Sequence, residues 1–335
     1  MVTVAGLVAA ATVPVGAGAI SRSPGGAPPT LDGRTYIREL KKLVDRYSGA
    51  VAVVVTPEGT WRGAAGWADS HVKRRAHADD RFAIESTTKT FVATVVLQLV
   101  GERRLTFHDT LQHWLPGLFR AWPPITIKEL LNHTSGVPPD FSFAKPPRAR
   151  AKDIAAQDLF FRPGTSVMYS NSDYVLLGLI VEKVTGRSLD EVVTSRLIRP
   201  LHLRSTSYGT AQAPRMTPWL GEEENFGRPV SGDGGIISTV DDLATFFRAL
   251  LRGKLLPPAQ LSAMTRTIAS PFPGVRFGLG IARNHFSCGY AWGHGGDLSY
   301  TVNVAVARDG SKAVITAQNN PAISDDGVPE RLYCS

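Results

Sequence analysis

Cysteine is scarce in this 335-residue chain. Only Cys288 and Cys334 are present, so the paired-cysteine spacings that hold structural zinc are missing, and no H-E-x-x-H occurs either. No metal or cofactor is therefore expected. Long apolar runs are also few: residues 2–15 form one of about fourteen residues, short of the roughly 20 that a membrane-spanning helix needs, and no later stretch is long enough. Stable membrane insertion is not expected. No G-x-S-x-G elbow is found, which argues against an ordinary α/β-hydrolase. Basic clusters such as Lys73-Arg74-Arg75 lack interleaved aromatics, so nucleic acid is not an expected partner. Internal repeats are absent, and low-complexity sequence is confined to the first thirty residues.

What remains is a globular composition. Hydrophobic residues make up 43% and charged residues 20%, which at this length supports one large core or two closely packed lobes. The formal net charge of +8 suits a cell-wall polyanion as a partner, although scattered Lys and Arg more often make ordinary solvated surface. The start of the chain reads as a signal-like segment with a linker, residues 1–30. Its apolar run is followed by Ala17-Gly18-Ala19, small at the −3 and −1 positions a signal peptidase prefers, but no Lys or Arg precedes it. Pro24, Gly25, Gly26, Pro28 and Pro29 then mark a flexible link. A secreted, extracellular protein is expected.

Ser86-Thr87-Thr88-Lys89 opens an apolar run and places a nucleophile at a helix start. Positions i and i+3 of a helix share a face, so the Lys89 amine can reach the Ser86 hydroxyl and relieve it of its proton. Backbone N–H groups at a helix start favour developing negative charge. Alone, S-x-x-K arises by chance about once in a chain of this length. Two later signals raise its weight. Tyr169-Ser170-Asn171 precedes an apolar helix beginning near Asp173, and His294-Gly295-Gly296 precedes a segment whose β-branched residues alternate as in a half-buried strand.

This order of motifs resembles the β-lactamase-related, penicillin-recognising serine hydrolases, whose sister pattern is S-x-x-K, S-D-N and K-T-G. With tyrosine in the second motif and histidine in the third, the chain is most similar to class C β-lactamases, serine D-Ala-D-Ala carboxypeptidases and related esterases. Three further stretches carry the resemblance: Ile125-Thr126-Ile127 through Leu130-Leu131-Asn132-His133-Thr134-Ser135-Gly136, Phe161-Arg162-Pro163-Gly164, and Gly234-Gly235-Ile236-Ile237-Ser238-Thr239 with Asp242-Leu243. The resemblance implies an α/β (α+β) fold, with an antiparallel sheet flanked by helices and an inserted all-helical lobe. Residues 31–100 with 227–335 would form the sheet lobe and residues 101–226 the helical lobe. Within that frame, residues 31–47 suit an amphipathic helix and residues 50–55 and 60–64 a hairpin. Residues 277–282, 291–294, 301–308 and 313–318 suit strands, and Gly327 and Pro329 shorten the last helix.

By the same resemblance Ser86 would attack a carbonyl to form an acyl-enzyme, with Lys89 and Tyr169 sharing the proton transfers. Which of the two is the base stays open. The backbone N–H groups of Ser86 and Asp297 would hold the oxyanion, and His294, Gly295 and Gly296 would line the substrate strand. Asn171 would hold the substrate's amide carbonyl or cap the helix that follows. Cys288 and Cys334 would form a disulfide beside the active-site strand, two unpaired buried thiols being the alternative.

The expected activity is a D-alanyl-D-alanine carboxypeptidase acting on a small peptide substrate. An esterase or class C-like β-lactamase, with an ester or β-lactam substrate, and a non-enzymatic penicillin sensor are the alternatives. Carboxypeptidase members usually read H-T-G-T in the third motif, whose hydroxyls, with a nearby arginine, bind the substrate carboxylate. Here Gly295 and Asp297 replace both threonines, Ala282 takes the usual arginine position, and Arg276 and Arg283 are left to supply a cation.

Overall fold

A computed structural model describes residues 31–209, 216–218, 229–325 and 327–335. The signal-like segment and linker expected at 1–30 lie outside these residues, as does the expected lobe boundary at 226–227.

Strands from residues 49–75 and 268–318 meet in one antiparallel sheet. Its strands are β1 (Gly49–Thr56), β2 (Gly59–Asp69), β3 (Arg74–Arg75), β4 (Ile268–Ala269), β5 (Val275–Phe277), β6 (Ala282–Phe286), β7 (Gly289–Gly293), β8 (Gly296–Asp297), β9 (Thr301–Val306) and β10 (Ala313–Gln318). They lie in the order β3-β2-β1-β10-β9-β7-β6-β5-β4, with β8 paired to β9. The central position of β10, buried along its whole length, follows from its composition of Ala, Val, Ile and Thr with two flanking partners.

Alternation in β1 sends its side chains to two cores. Ala50, Ala52 and Val54 meet α1 (Gly33–Leu40) through Tyr36 and Leu40, and the last helix, Val328–Cys334, through Leu332 and Tyr333. Val51, Val53 and Val55 face the larger core, which continues into the helices between residues 101 and 226 through Leu130, Ile154 and Tyr174. At the heart of that core is α2 (Thr88–Gly101), apolar on nearly all sides and buried from Thr88 to Leu97.

Two expectations need correction. The helix expected over 31–47 ends at Leu40 and tightens into a 3₁₀ turn, Lys41–Leu43. Beyond it the Asp45 carboxylate accepts the N–H groups of Tyr47 and Ser48, both at 2.9 Å, a local bonding pattern that competes with helix. Residues 277–282 are not one strand. The chain leaves the sheet after Phe277, and Gly280, at φ +71°, lies where a side chain would collide with Ala93 of α2. There its N–H donates to Leu131 O (3.0 Å) and its carbonyl accepts from Thr90 Oγ1 (2.7 Å), before the sheet resumes at Ala282.

Candidate active site

Ser86 sits in the 3₁₀ turn Glu85–Thr87 that leads into α2, one turn earlier than an α-helical start. Glu85 has φ +48°, uncommon for a residue with a Cβ and a source of local strain. The turn is fastened on two sides: Ile84 N–H donates to Ile236 O (2.9 Å), and Thr87 Oγ1 donates to His294 O (3.1 Å). Gly296 packs so closely on this turn that a Cβ there would run into Ile84 O, which explains glycine at that place in the third motif.

Lys89, in the first turn of α2, is 0% exposed. Its Nζ lies 2.9 Å from Ser86 Oγ, 2.9 Å from Asn171 Oδ1 and 3.0 Å from Asp233 O. These contacts fill the three positions of a tetrahedral amine. Asn171 and Asp233 offer acceptors only, so each takes a hydrogen. The third position, toward Ser86, holds a hydrogen when lysine is charged and a lone pair when it is neutral. Asn171 is the first residue of the helix Asn171–Thr185, and Ser170 is its N-cap. The capping alternative for Asn171 is thus replaced by a bond to Lys89.

Tyr169, half-buried, has its ring centroid 5.1 Å from Lys89 Nζ, 4.6 Å from the His133 ring and 6.1 Å from the His294 ring. His294 follows β7, its Nδ1 2.6 Å from Gly295 O. Burial and then the Lys89 charge push its pKa down to about 4, so the ring is neutral near pH 7. Nδ1 then carries the hydrogen given to Gly295 O. Gly296 and Asp297 pair with Val302 and Thr301 across β8 and β9, and the exposed Asp297 carboxylate accepts from Thr301 Oγ1 (3.1 Å).

Ser86, Tyr169 and Asp297 line two adjoining cavities. One, of about 470 Å³, is bounded by His294, Phe272, Phe277, Ile281, Asn284 and Asp325. The other, of about 170 Å³, is bounded by Asn171, Phe141, Phe143 and Leu298. Seven of the eight expected motif residues line these cavities, and Lys89, buried beneath them, touches Ser86. The expected arginines do not line them. Arg276 donates to Thr267 Oγ1 (3.1 Å) and Thr267 O (3.3 Å), and the Arg283 guanidinium lies 4.4 Å above the Tyr290 ring, while Ala282 faces the cleft. Cys288 and Cys334 are disulfide-bonded and tie the turn between β6 and β7 to the last helix.

Two groups were not singled out by sequence reasoning. His133, at φ +63°, is buried with Nδ1 2.9 Å from Asp173 Oδ2, while Ser135 Oγ donates to Asp173 Oδ1 (2.5 Å). Burial drives the imidazole well below its usual range and the Asp173 carboxyl well above its own, so the pair is held uncharged. Ser170 N–H points at the same Nδ1 (3.3 Å), which fits an acceptor nitrogen facing a protonated carboxyl. The H-T-S-G segment contained the signal for His133. The second group is Arg150 with Asp140 and Asp233.

Comparison with known proteins agrees with this geometry. The family model Beta-lactamase matches residues 35–331. The structure of a D-stereospecific amidohydrolase from Streptomyces sp. has a TM-score of 0.76 and 32% identity, covering 91% of this chain and 99% of that one. The D-amino acid amidase from Ochrobactrum anthropi SV3 shares the fold at 24% identity, with a TM-score of 0.73 over 87% of this chain and 93% of its own. Among curated proteins, Protein flp of Staphylococcus aureus (strain COL) is 29% identical over 184 residues, 52% of this chain but only 36% of its own length. N-acetylmuramyl-L-alanine amidase of Bacillus subtilis (strain 168) is 26% identical over 276 residues, 64% of this chain and 63% of its own. The match spanning nearly all the described residues, with the three motifs converging on Ser86, leads to one conclusion: the chain belongs to the beta-lactamase family.

Proposed function

We propose that the protein is a serine acyl-enzyme hydrolase of small amides, peptides or esters, with amides of D-amino acids as the leading substrates. Ser86 attacks the carbonyl, its proton passes to the Lys89–Tyr169 pair, the leaving amine is protonated from that pair, and water then releases the acid. Two N–H bonds of Lys89 engaged by Asn171 and Asp233 leave its lone pair at Ser86 when the amine is neutral, which favours Lys89 as the acceptor of the serine proton. The backbone N–H groups of Ser86 and Asp297 serve as the oxyanion donors, each worth a few kcal/mol in such sites.

The observation that carries the substrate class is Asp297. Its exposed carboxylate stands on the strand where a carboxypeptidase would dock a substrate carboxylate, and like charges there oppose binding. Amides and esters avoid that conflict. The amidohydrolase and amidase named above, which share the fold, support the same choice. D-alanyl-D-alanine cleavage is the second reading, favoured by the Asn284 and Asn303 amides on the same wall, which can donate to a carboxylate. Export, with cell-wall peptides within reach, is part of this proposal and is supported by the disulfide.

D-phenylalanine amide, L-phenylalanine amide, a diacyl-D-Ala-D-Ala tripeptide, a short-chain nitrophenyl ester and a chromogenic cephalosporin should be assayed side by side. Preferred turnover of the D-amide over the tripeptide is expected. D-alanine release with no amide turnover would overturn the substrate class.

A further inference from the structure

Lys89 takes one of its three contacts from the Asp233 backbone carbonyl, and that carbonyl stands on a buried ion cluster. Arg150, in the helix Pro147–Ala155, is 1% exposed. Its Nε donates to Asp140 Oδ2 (2.5 Å), and Nη1 and Nη2 donate to Asp233 Oδ1 (3.0 Å) and Oδ2 (2.8 Å). Nη1 also reaches Ser231 Oγ (3.3 Å), whose hydroxyl donates to Asp233 Oδ1 (2.5 Å). Three chain segments, around 140, 150 and 233, are thereby joined behind the lysine. Burying a guanidinium costs several kcal/mol unless it is fully paired, and this fork is paired on both sides.

We propose that Arg150, Asp140 and Asp233 form a positioning cluster for Lys89. The fork fixes the Asp233 peptide so that its carbonyl holds one N–H of the amine and, together with Asn171, aims the remaining valence at Ser86. It also sets a formal charge of −1, two carboxylates against one guanidinium, behind the amine. Other groups face the same amine: Asp173 with its His133 partner, Tyr169, Tyr174 at 5.9 Å from its ring, neutral His294, and Glu85 and Asp297 at the cleft. On the cluster's own side the buried Tyr208 hydroxyl donates to Ser231 O (3.4 Å) and faces Asp233. The inference rests on the acyl-enzyme reading above.

The test is the pH dependence of single-turnover acylation by p-nitrophenyl acetate. Asp233→Asn removes a negative charge and should move the acid limb to lower pH; Arg150→Met removes a positive charge and should move it to higher pH, each by about half a unit or more. Arg150→Lys keeps the charge without the fork, so the limb should stay while the rate falls by roughly tenfold. A general loss of structure would not give shifts of opposite sign. Should Arg150→Met fail to fold, Asp140→Asn carries the expectation of Asp233→Asn. Limbs that stay at the wild-type pH in all variants would overturn the cluster's role while leaving the acyl-enzyme reading intact. Absence of any Ser86-dependent burst in the wild type would overturn both.

Discussion

The two walls of the cleft are built on opposite principles. The helical wall carries Lys89, Asn171, His133 and Asp173, all buried, each bonded to at least one named partner. The strand wall, from His294 to Asp297, carries two glycines and an exposed carboxylate, with Gly295 and Asp297 open to solvent. Buried polar groups tolerate few alternatives, because losing one partner leaves the other unsatisfied at about 1–3 kcal/mol. Exposed positions can change with little effect on folding. Under the proposed acyl-enzyme reading, the helical wall would carry the proton transfers and the strand wall the choice of substrate.

Breaking the helical wall should have the largest effect. Ser86→Ala should lower kcat/KM for every acyl donor by roughly 10⁴-fold or more, with unfolding midpoints near wild type. Retained turnover in a clean preparation would remove Ser86 as the nucleophile. On the strand wall, Asp297→Thr should leave amide turnover within about threefold while raising turnover of a peptide ending in a free carboxylate by roughly tenfold, read as the ratio of the two kcat/KM values. An unchanged ratio would separate Asp297 from substrate choice.

The smallest effect concerns pH and stability. His294 has its pKa lowered from 6.5 to about 4 in the folded protein, so the unfolded chain binds the proton more readily. Its contribution is fully present above about pH 6.5 and is lost as pH falls toward 4. Urea midpoints measured across that range should therefore decline less steeply in His294→Gln than in the wild type. Equal slopes would show that His294 titrates as in the unfolded chain.

The same contrast explains what was legible in the sequence. Ser86, Lys89, Tyr169 and His294 lie in short segments whose spacing and neighbours mark them, and the β1–β2 hairpin follows from alternation around Pro57-Glu58-Gly59. The break at residues 278–281 was hidden because Phe277, Leu279 and Ile281 alternate as a strand does. What pulls them out of the sheet is the approach of Gly280 to Ala93, set by tertiary packing. Asp140, Arg150 and Asp233 were hidden for a different reason. Each is a lone charge in its own segment, indistinguishable in sequence from solvated surface, and only folding removes them from water together.

An acyl-enzyme on Ser86 can be observed directly. Rapid-quench mass spectrometry during turnover of a short-chain nitrophenyl ester should find one acyl group per chain, mapped to the peptide containing Ser86 and missing from Ser86→Ala. Turnover with the acyl group on another residue would remove Ser86 as the nucleophile.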